Sequence, residues 1–194
     1  MKTVHGERSR TALLASYEKD ENLSHLGKLL IANNWTLLGS AGTAKYLNDN
    51  KIPCRDVAEV IGKPILGHRV VTLSRELHAA LLSTPKDADE LTSLGIEPID
   101  LVYVTLYPLE KTIEGGGTPE EVIEKTDIGG PTLLRAAAKG RRIVLSSPDQ
   151  LGEFEQRLKN ATLDEKYRTA LAAAAERRVA DYVATSASYW EKRV

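Results

Sequence analysis

The sequence contains almost no sulfur chemistry, because Cys54 is the only cysteine among its 194 residues. A single cysteine excludes a disulfide framework and a cysteine-rich metal site, and it makes a reducing cytoplasm the expected compartment. The histidines are also few, and they show no metal-ligand spacing, so no metal site is expected. They are His5, His25, His68 and His78.

Long apolar runs and excess charge are missing as well. No stretch approaches the roughly 20 apolar residues that span a bilayer, and no apolar run of signal length follows residues 1–8. The formal net charge is −1, so no overall field attracts nucleic acid or an anionic membrane. Neither is therefore expected as a partner, and any anionic ligand must be bound by a local site.

What the chain does contain is an alternation of short apolar runs with helical patterns. The run at 99–107 is nearly continuous in apolar and β-branched residues, which is typical of a parallel strand covered on both faces. Strands alternating with helices predict an α/β fold with a mostly parallel central sheet, formed by one domain over residues 1–194. The predicted strands are residues 11–16, 35–38, 54–60, 99–107 and 142–146.

Local signals also mark helix boundaries. Residues 118–121 place a threonine cap, a proline and a glutamate where a helix start needs them. A helix over about 131–139 is expected to stop at Gly140, acting as a left-handed residue. An alanine-rich helical segment, about 164–192, is expected to pack on the domain.

A loop of small residues, Gly39-Ser40-Ala41-Gly42-Thr43, lies between a predicted strand and a predicted helix. Small residues there let backbone N–H groups approach an oxyanion, and the helix N-terminus adds a favourable dipole. The hydroxyls of Ser40 and Thr43 would contribute further contacts. Such a turn is structural about as often as it is functional, and it matches neither the dinucleotide fingerprint nor a P-loop.

Three more residues stand where chemistry could occur. Asp127 precedes two glycines and a proline, and its structural interpretation is that it caps a turn. Tyr107 ends the strongest strand, where ligands of open α/β sheets bind, although a lone tyrosine more often packs. Lys139 near a helix C-terminus is, on local grounds, a surface lysine that complements the helix dipole.

Taken in order, these segments resemble the inosine-monophosphate cyclohydrolase domain, the N-terminal domain of the bifunctional enzyme that formylates aminoimidazole-carboxamide ribonucleotide and closes the purine ring. The resemblance implies a methylglyoxal-synthase-like, three-layer α/β sandwich. It also implies the substrate, 5-formamidoimidazole-4-carboxamide ribonucleotide, and a dehydrative closure without a cofactor. The matching segments are residues 38–45, 95–102, 106–108 and 127–139, with the helical residues 170–189.

The resemblance assigns roles to individual residues. Tyr107 would donate a proton or stabilise the oxyanion, Asp127 would accept from the carboxamide, and Lys139 would be the charge partner of Asp127. That pair can meet only if the chain folds back at the glycines 129–130, which accept positive φ at little cost. The residues that would surround the phosphate and ribose or line the same cleft are Lys19, Ser40, Gly42, Thr43, Arg69, Thr72, Thr105, Ile128 and Gly129.

The chain departs from the family pattern within these segments. Val71 stands where the family has a lysine near the formyl oxygen, and valine can neither donate nor carry charge. Thr105 stands where asparagine is usual, and Tyr17 and Gly39 replace serines of the phosphate-side loops. His68 replaces a glycine. Two explanations compete: the remaining groups suffice for the same reaction, or the site acts on an analogue in a specialised nucleoside pathway.

A third interpretation is a regulatory module of the same fold that binds a nucleotide or another phosphorylated metabolite. Such a module would keep the loop at 40–43 but has no need for Tyr107, Asp127 and Lys139 together. Methylglyoxal synthase is a weaker alternative, because no second catalytic aspartate stands in a matching glycine-rich loop. The formyltransferase half is absent from the sequence, so a separate formyltransferase is expected to supply the substrate, and a homodimer stays open.

Overall fold

A computed structural model describes residues 9–67 and 69–194, and its centre is one sheet in which every neighbouring pair of strands is parallel. The strand order is β3-β2-β1-β4-β5. Two of the four histidines named above, His5 and His68, lie outside the described residues. The strands are β1 (Arg10–Ser16), β2 (Trp35–Gly39), β3 (Arg55–Asp56), β4 (Leu101–Thr105) and β5 (Ile143–Leu145).

Helices cover both faces of this sheet. The helices are α1 (Glu21–Ala32), α2 (Ala41–Asp49), α3 (Ala58–Ile61), α4 (Arg75–Leu82), α5 (Ala88–Ser93), α6 (Leu109–Glu114), α7 (Pro119–Glu124), α8 (Gly129–Lys139), α9 (Leu151–Lys159) and α10 (Glu165–Glu191). α1 and α2 pack together beside β2, whereas α8 packs on β4, α4 and α10. The strand order runs outward from β1 in both directions, to β2 and β3 on one side and to β4 and β5 on the other. Right-handed crossovers therefore put the helices that follow these two sets of strands on opposite faces of the sheet.

The burial of the central strands requires this three-layer arrangement. Leu13 and Leu14 of β1 are both fully buried, although neighbouring side chains of a strand point to opposite faces. The first four residues of β4 are buried in the same way. The predicted α/β fold with a parallel sheet is therefore confirmed, and β4 lies inside the sheet as the run at 99–107 indicated.

The predicted strand over 54–60 is wrong, because only Arg55–Asp56 pairs with β2 before the chain turns into α3. The carboxylate of Asp56 accepts the N–H of Ala58 at 2.9 Å, and that of Glu59 accepts the N–H of Asp56 at 3.3 Å. These local side-chain bonds compete with the β ladder and start the helix instead.

Gly140 is not left-handed as predicted, since its φ is −76° and the left-handed residue is Arg141 with φ 59°. Glycine is required there for a different reason: a Cβ would clash with the carbonyl oxygen of Leu81. β4 and β5 are shorter than the predicted runs at 99–107 and 142–146, and α8 starts at Gly129 instead of about 131, whereas the starts of α7 and of the C-terminal helix lie where they were predicted. Thr118 forms a capping box with Glu121 at the start of α7, and α10 covers most of the predicted C-terminal segment.

The sheet order also locates the crevice expected for a ligand. β1 has β2 on one side and β4 on the other, so the chain direction across the sheet reverses at this point. In open α/β sheets such a reversal leaves a crevice at the carboxyl ends of the strands. Within residues 9–67 and 69–194, no helix is both long enough and apolar enough to cross a membrane.

Candidate active site

A cleft of about 720 Å³ opens at the carboxyl ends of β1, β2 and β4. This volume lies in the range of small-molecule and cofactor sites, roughly 300–1,000 Å³. Most of the residues that the sequence singled out line it, although they come from distant parts of the chain. They are Lys19, Ser40, Gly42, Arg69, Thr72, Thr105, Tyr107, Asp127, Ile128 and Gly129.

Thr43 is brought to the site but does not reach the cleft, because its side chain is fully buried. Its hydroxyl oxygen accepts the Ser16 N–H at 3.1 Å and the Ser40 hydroxyl at 3.0 Å. Thr43 therefore joins the end of β1 to the loop before α2. In this structure it holds Ser40 in place and has no free surface to offer a phosphate.

Lys139 is not brought to the cleft. α8 is a continuous helix from Gly129 to Lys139, so its ends lie about 15 Å apart at 1.5 Å per residue. Gly129 and Gly130 are its first two residues, and neither has positive φ. The chain does not fold back at these glycines, and the expected pair of Asp127 with Lys139 is not formed in this structure.

The loop before α2 and the residues around Lys19 form one end of the cleft. Ser40 is the N-cap of α2, but its side chain accepts no hydrogen bond from a backbone N–H of the first turn, which leaves backbone N–H groups available at this end. Lys19 lies beside them: a Cβ on Gly42 would stand 3.9 Å from the Lys19 ammonium nitrogen. Burial lowers the pKa of Lys19, and its ammonium donates to the carbonyl oxygens of Ser16 and Tyr17.

Two of the departures from the family pattern have local explanations at this end. A Cβ on Gly39 would lie 2.8 Å from the Ala44 nitrogen and 2.9 Å from the Cys54 sulfur, so the position has no space for a side chain. Burial raises the pKa of the Cys54 thiol to about 12, which makes it a packed thiol and not a nucleophile. The hydroxyl of Thr105 bonds to Ser16 and to the Tyr17 N–H, both at 2.8 Å.

Asp127 also lines the cleft and stands just before α8. One carboxylate oxygen accepts the Gly130 N–H at 2.8 Å, so Asp127 does cap the first turn as its structural interpretation suggested. Burial raises the pKa of this carboxyl, and hydrogen bonds from the backbone N–H groups of Gly130, Tyr107 and Gly129 oppose the shift. The same side chain also lines the cleft, so the structural role leaves room for a chemical one.

Tyr107 and Tyr17 form an aromatic pair beside this carboxylate. Their ring centroids lie 5.0 Å apart at an interplanar angle of 61°, an edge-to-face contact. Burial, followed by the nearby Asp127, raises the pKa of Tyr107, so the phenol keeps its proton at neutral pH. The hydroxyl of Tyr107 can therefore act as a hydrogen-bond donor inside the cleft.

Sequence reasoning missed Lys125, whose ammonium nitrogen lies 6.0 Å from the Tyr17 ring centroid and 5.9 Å from that of Tyr107. Its position two residues before Asp127 was the one signal that could have found it. Together with Lys19 and Arg69, it is one of the cations among the described lining residues. Val71 lines the same cleft without charge. Across residues 9–67 and 69–194, no three His, Cys, Asp or Glu side chains are grouped to hold a metal ion.

The chain is similar in sequence to a protein family and to individual known proteins. Residues 22–132 match the family described as "MGS-like domain". The chain is 38% identical over 191 residues to the bifunctional purine biosynthesis protein PurH of Prochlorococcus marinus subsp. pastoris, covering 95% of this chain and 37% of that protein. It is also 38% identical over 167 residues to PurH of Aquifex aeolicus, covering 83% and 33% of the two chains.

A solved structure, the crystal structure of ForH, superposes with a TM-score of 0.79 at 30% sequence identity. That similarity covers 94% of this chain and 100% of the ForH chain. The chain thus spans about a third of the length of the curated relatives that it matches, and the similarity to ForH covers the whole of the ForH chain.

Proposed function

The chain belongs to the family of MGS-like domains, and from this premise we propose that it is an inosine-monophosphate cyclohydrolase. It would close the purine ring of 5-formamidoimidazole-4-carboxamide ribonucleotide with loss of water. The observation that carries the proposal is the presence of Asp127 and Tyr107 in one cleft with Lys19 and the start of α2. The similarity to proteins named for purine biosynthesis supports it.

The reaction needs no external reactant. The carboxamide nitrogen attacks the formyl carbon of the same molecule and loses one proton as the C–N bond forms. The formyl oxygen takes up a proton and becomes a hydroxyl. This hydroxyl leaves with the remaining formamide N–H proton as water, which forms the C=N bond of the purine. In reverse, the same step is the hydrolysis of a cyclic amidine.

Asp127 suits the role of proton acceptor for the carboxamide nitrogen. Its carboxyl group is held by backbone N–H groups, and burial raises its pKa, which makes the carboxylate a stronger base than an exposed aspartate. A fixed base within hydrogen-bond reach of the nitrogen contributes about a hundred- to ten-thousandfold in related reactions. The carboxylate would also orient the carboxamide toward the formyl carbon.

Tyr107 suits the oxygen side of the reaction. Because its pKa is raised, the phenol is an O–H donor that can hydrogen-bond the formyl oxygen as negative charge develops there. Lys125 stands near the same ring and would add positive charge to a cleft in which Val71 supplies none. These two groups would together stabilise the oxyanion.

The phosphate would bind at the other end, where the first turn of α2 and the Lys19 ammonium converge. Backbone donors and a helix N-terminus favour a dianion by hydrogen bonding and by the helix dipole. Arg69 lies on the exposed side of the cleft, and its Nε donates to the Leu66 carbonyl at 3.2 Å. It would contact the phosphate or ribose from outside.

A cyclohydrolase that acts on an analogue of this substrate is the second candidate. It is favoured by Val71 and Tyr17, two departures from the family pattern that line the cleft. A regulatory module that binds the nucleotide without converting it is the non-enzymatic alternative.

Steady-state turnover of the formylated ribonucleotide, followed by absorbance, tests the proposal. We expect saturable formation of inosine monophosphate, with a much higher KM for the nucleoside that lacks the phosphate. The Asp127→Asn variant is the matched control: it should bind the ribonucleotide but turn it over at least about a hundredfold more slowly than the wild type. Tight binding of the ribonucleotide to the wild-type chain with no turnover would favour the regulatory module.

A further inference from the structure

The hydroxyl of one tyrosine joins the C-terminal helix to the candidate active site. Tyr182 lies in α10, outside residues 22–132 that match the MGS-like domain, and only 9% of it is exposed. Its oxygen accepts the backbone N–H of Asp127 at 2.7 Å, and its O–H donates to the carbonyl oxygen of Lys125 at 3.1 Å. A single phenol thus spans the segment that carries two cleft side chains.

That segment, residues 125–128, connects α7 to α8 and is called the strap below. The Asp127 N–H and the Lys125 carbonyl receive their bonds from Tyr182, whose position is set by a helix more than fifty residues away in sequence. Both groups are partly buried, and backbone groups that lose their hydrogen-bond partners destabilise the conformation that keeps them from water. Without the phenol, a strap conformation that exposes these two groups to water would be favoured.

A shift of the strap would act directly on the Asp127 side chain. The carboxylate reaches the Gly130 N–H at 2.8 Å because the backbone at 127 stands at a fixed distance from the first turn of α8. Misplacing a catalytic group by about 1 Å is enough to cost roughly a hundredfold in rate. The position of Asp127 therefore depends on contacts from both α8 and α10.

We propose that Tyr182 is a positioning residue, which holds the strap so that Asp127 can accept the substrate proton and Lys125 can face the same cleft. This inference rests on the proposed function in so far as Asp127 is the proton acceptor. Burial raises the pKa of Tyr182 to about 12, so the phenol keeps its proton over the ordinary assay range. Its contribution is a fixed pair of hydrogen bonds, not a proton transfer.

The same helix provides two matched controls. Tyr167 and Tyr189 of α10 are also buried, and their hydroxyl oxygens have no hydrogen-bond partner among the described residues. Removing the oxygen from either one keeps the ring and leaves no group of the strap unpaired. Each of three variants removes one phenol oxygen and keeps the ring, but only the first also removes hydrogen bonds to the strap: Tyr182→Phe, Tyr167→Phe and Tyr189→Phe.

Steady-state kinetics over a pH series is the first arm of the experiment. For Tyr182→Phe we expect kcat to fall about tenfold or more, because both hydrogen bonds to the strap are lost, with KM within about twofold. The acid limb of the kcat profile should move to lower pH, because a looser strap admits water and relieves the burial that raises the Asp127 pKa. Tyr167→Phe and Tyr189→Phe should stay within about twofold of the wild type throughout.

A double mutant separates positioning from general stability. In an Asp127→Asn background, Tyr182→Phe should reduce kcat by less than about twofold, since both changes act on one unit. Hydrogen exchange at the Asp127 amide needs no turnover and forms the second arm. Tyr182→Phe should accelerate this exchange about tenfold or more. The wild type and the variant are compared at denaturant concentrations that give them the same free energy of global unfolding. If the wild type turns over nothing, the proposed function fails while this arm still tests Tyr182.

The proposal is overturned by a Tyr182→Phe variant that has wild-type kcat, acid limb and Asp127 exchange and is merely less stable. It is equally overturned if all three phenylalanine variants lose activity in parallel. Either result would make the Tyr182 hydroxyl an ordinary core contact of α10.

Discussion

Gly130 offers the sharpest structural test of how Asp127 is held. A Cβ at this position would clash with the Oδ2 atom of Asp127 and would lie 3.1 Å from its Cγ and 2.7 Å from the Cδ2 atom of Leu106. Carbon atoms in ordinary contact stand about 3.5–4.0 Å apart. The Gly130→Ala variant must therefore displace the Asp127 carboxylate by about 1 Å, because Leu106 prevents the new methyl group from moving away from it.

The cost should fall on catalysis more than on stability. Alanine gains about 1 kcal/mol over glycine in helix propensity, whereas overpacking costs about 1–3 kcal/mol, so we expect a net destabilisation of about 0–2 kcal/mol. A carboxylate misplaced by about 1 Å should lower kcat about a hundredfold. The assay is steady-state turnover of the formylated ribonucleotide beside urea unfolding of the same preparation.

Gly152→Ala is the matched control. Gly152 lies in α9, where a Cβ would meet nothing within 4 Å, so the change should leave kcat unaltered and stabilise the protein by up to about 1 kcal/mol. A Gly130→Ala variant with wild-type kcat would refute the reasoning, because it would mean that the carboxylate either moves freely or does not take part in the reaction.

Three further predictions concern charge. Burial raises the folded-state pKa of Asp127, so the folded protein loses stability as the pH rises through that pKa and the carboxyl group ionises. At neutral pH, Asp127→Asn should therefore unfold at a higher urea concentration than the wild type, and the difference should vanish in acid. A lower urea midpoint for Asp127→Asn at neutral pH would contradict the burial argument. Val71→Lys should raise kcat on the formylated ribonucleotide about tenfold or more by adding an oxyanion donor, and a lower kcat would favour an analogue as the natural substrate. Lys139→Ala should keep kcat within about twofold, because Lys139 lies at the far end of α8 from Asp127, and a large loss would restore Lys139 to the site.

The sequence predicted those parts of the structure that depend on local patterns. The alternation of apolar runs and helical periods predicted the parallel sheet, since strands such as β4 must be apolar on both faces when helices cover them. The glycine loop before α2 and the Asp127 segment carry recognisable small residues, and both line the cleft. Their positions follow from strand ends that meet at one edge of the sheet.

What the sequence could not predict depends on contacts between distant segments. Tyr182 bonds the strap from a helix that was predicted, but nothing in the sequence singles this tyrosine out, and the Lys125 ammonium lies near rings contributed by the ends of β1 and β4. Thr43 was expected to face a phosphate, but its hydroxyl is used to join Ser16 and Ser40. The expected pair of Asp127 with Lys139 failed because the two glycines start α8 with helical geometry and do not reverse the chain.

Single-turnover conversion of the formylated ribonucleotide, with enzyme in excess and products identified by mass, tests the central claim most directly. The account predicts full conversion to inosine monophosphate, a product one water lighter than the substrate, at a rate that falls about a hundredfold or more in Asp127→Asn. Substrate that stays bound and unchanged on the wild-type protein, or equal rates in the two proteins, would contradict it.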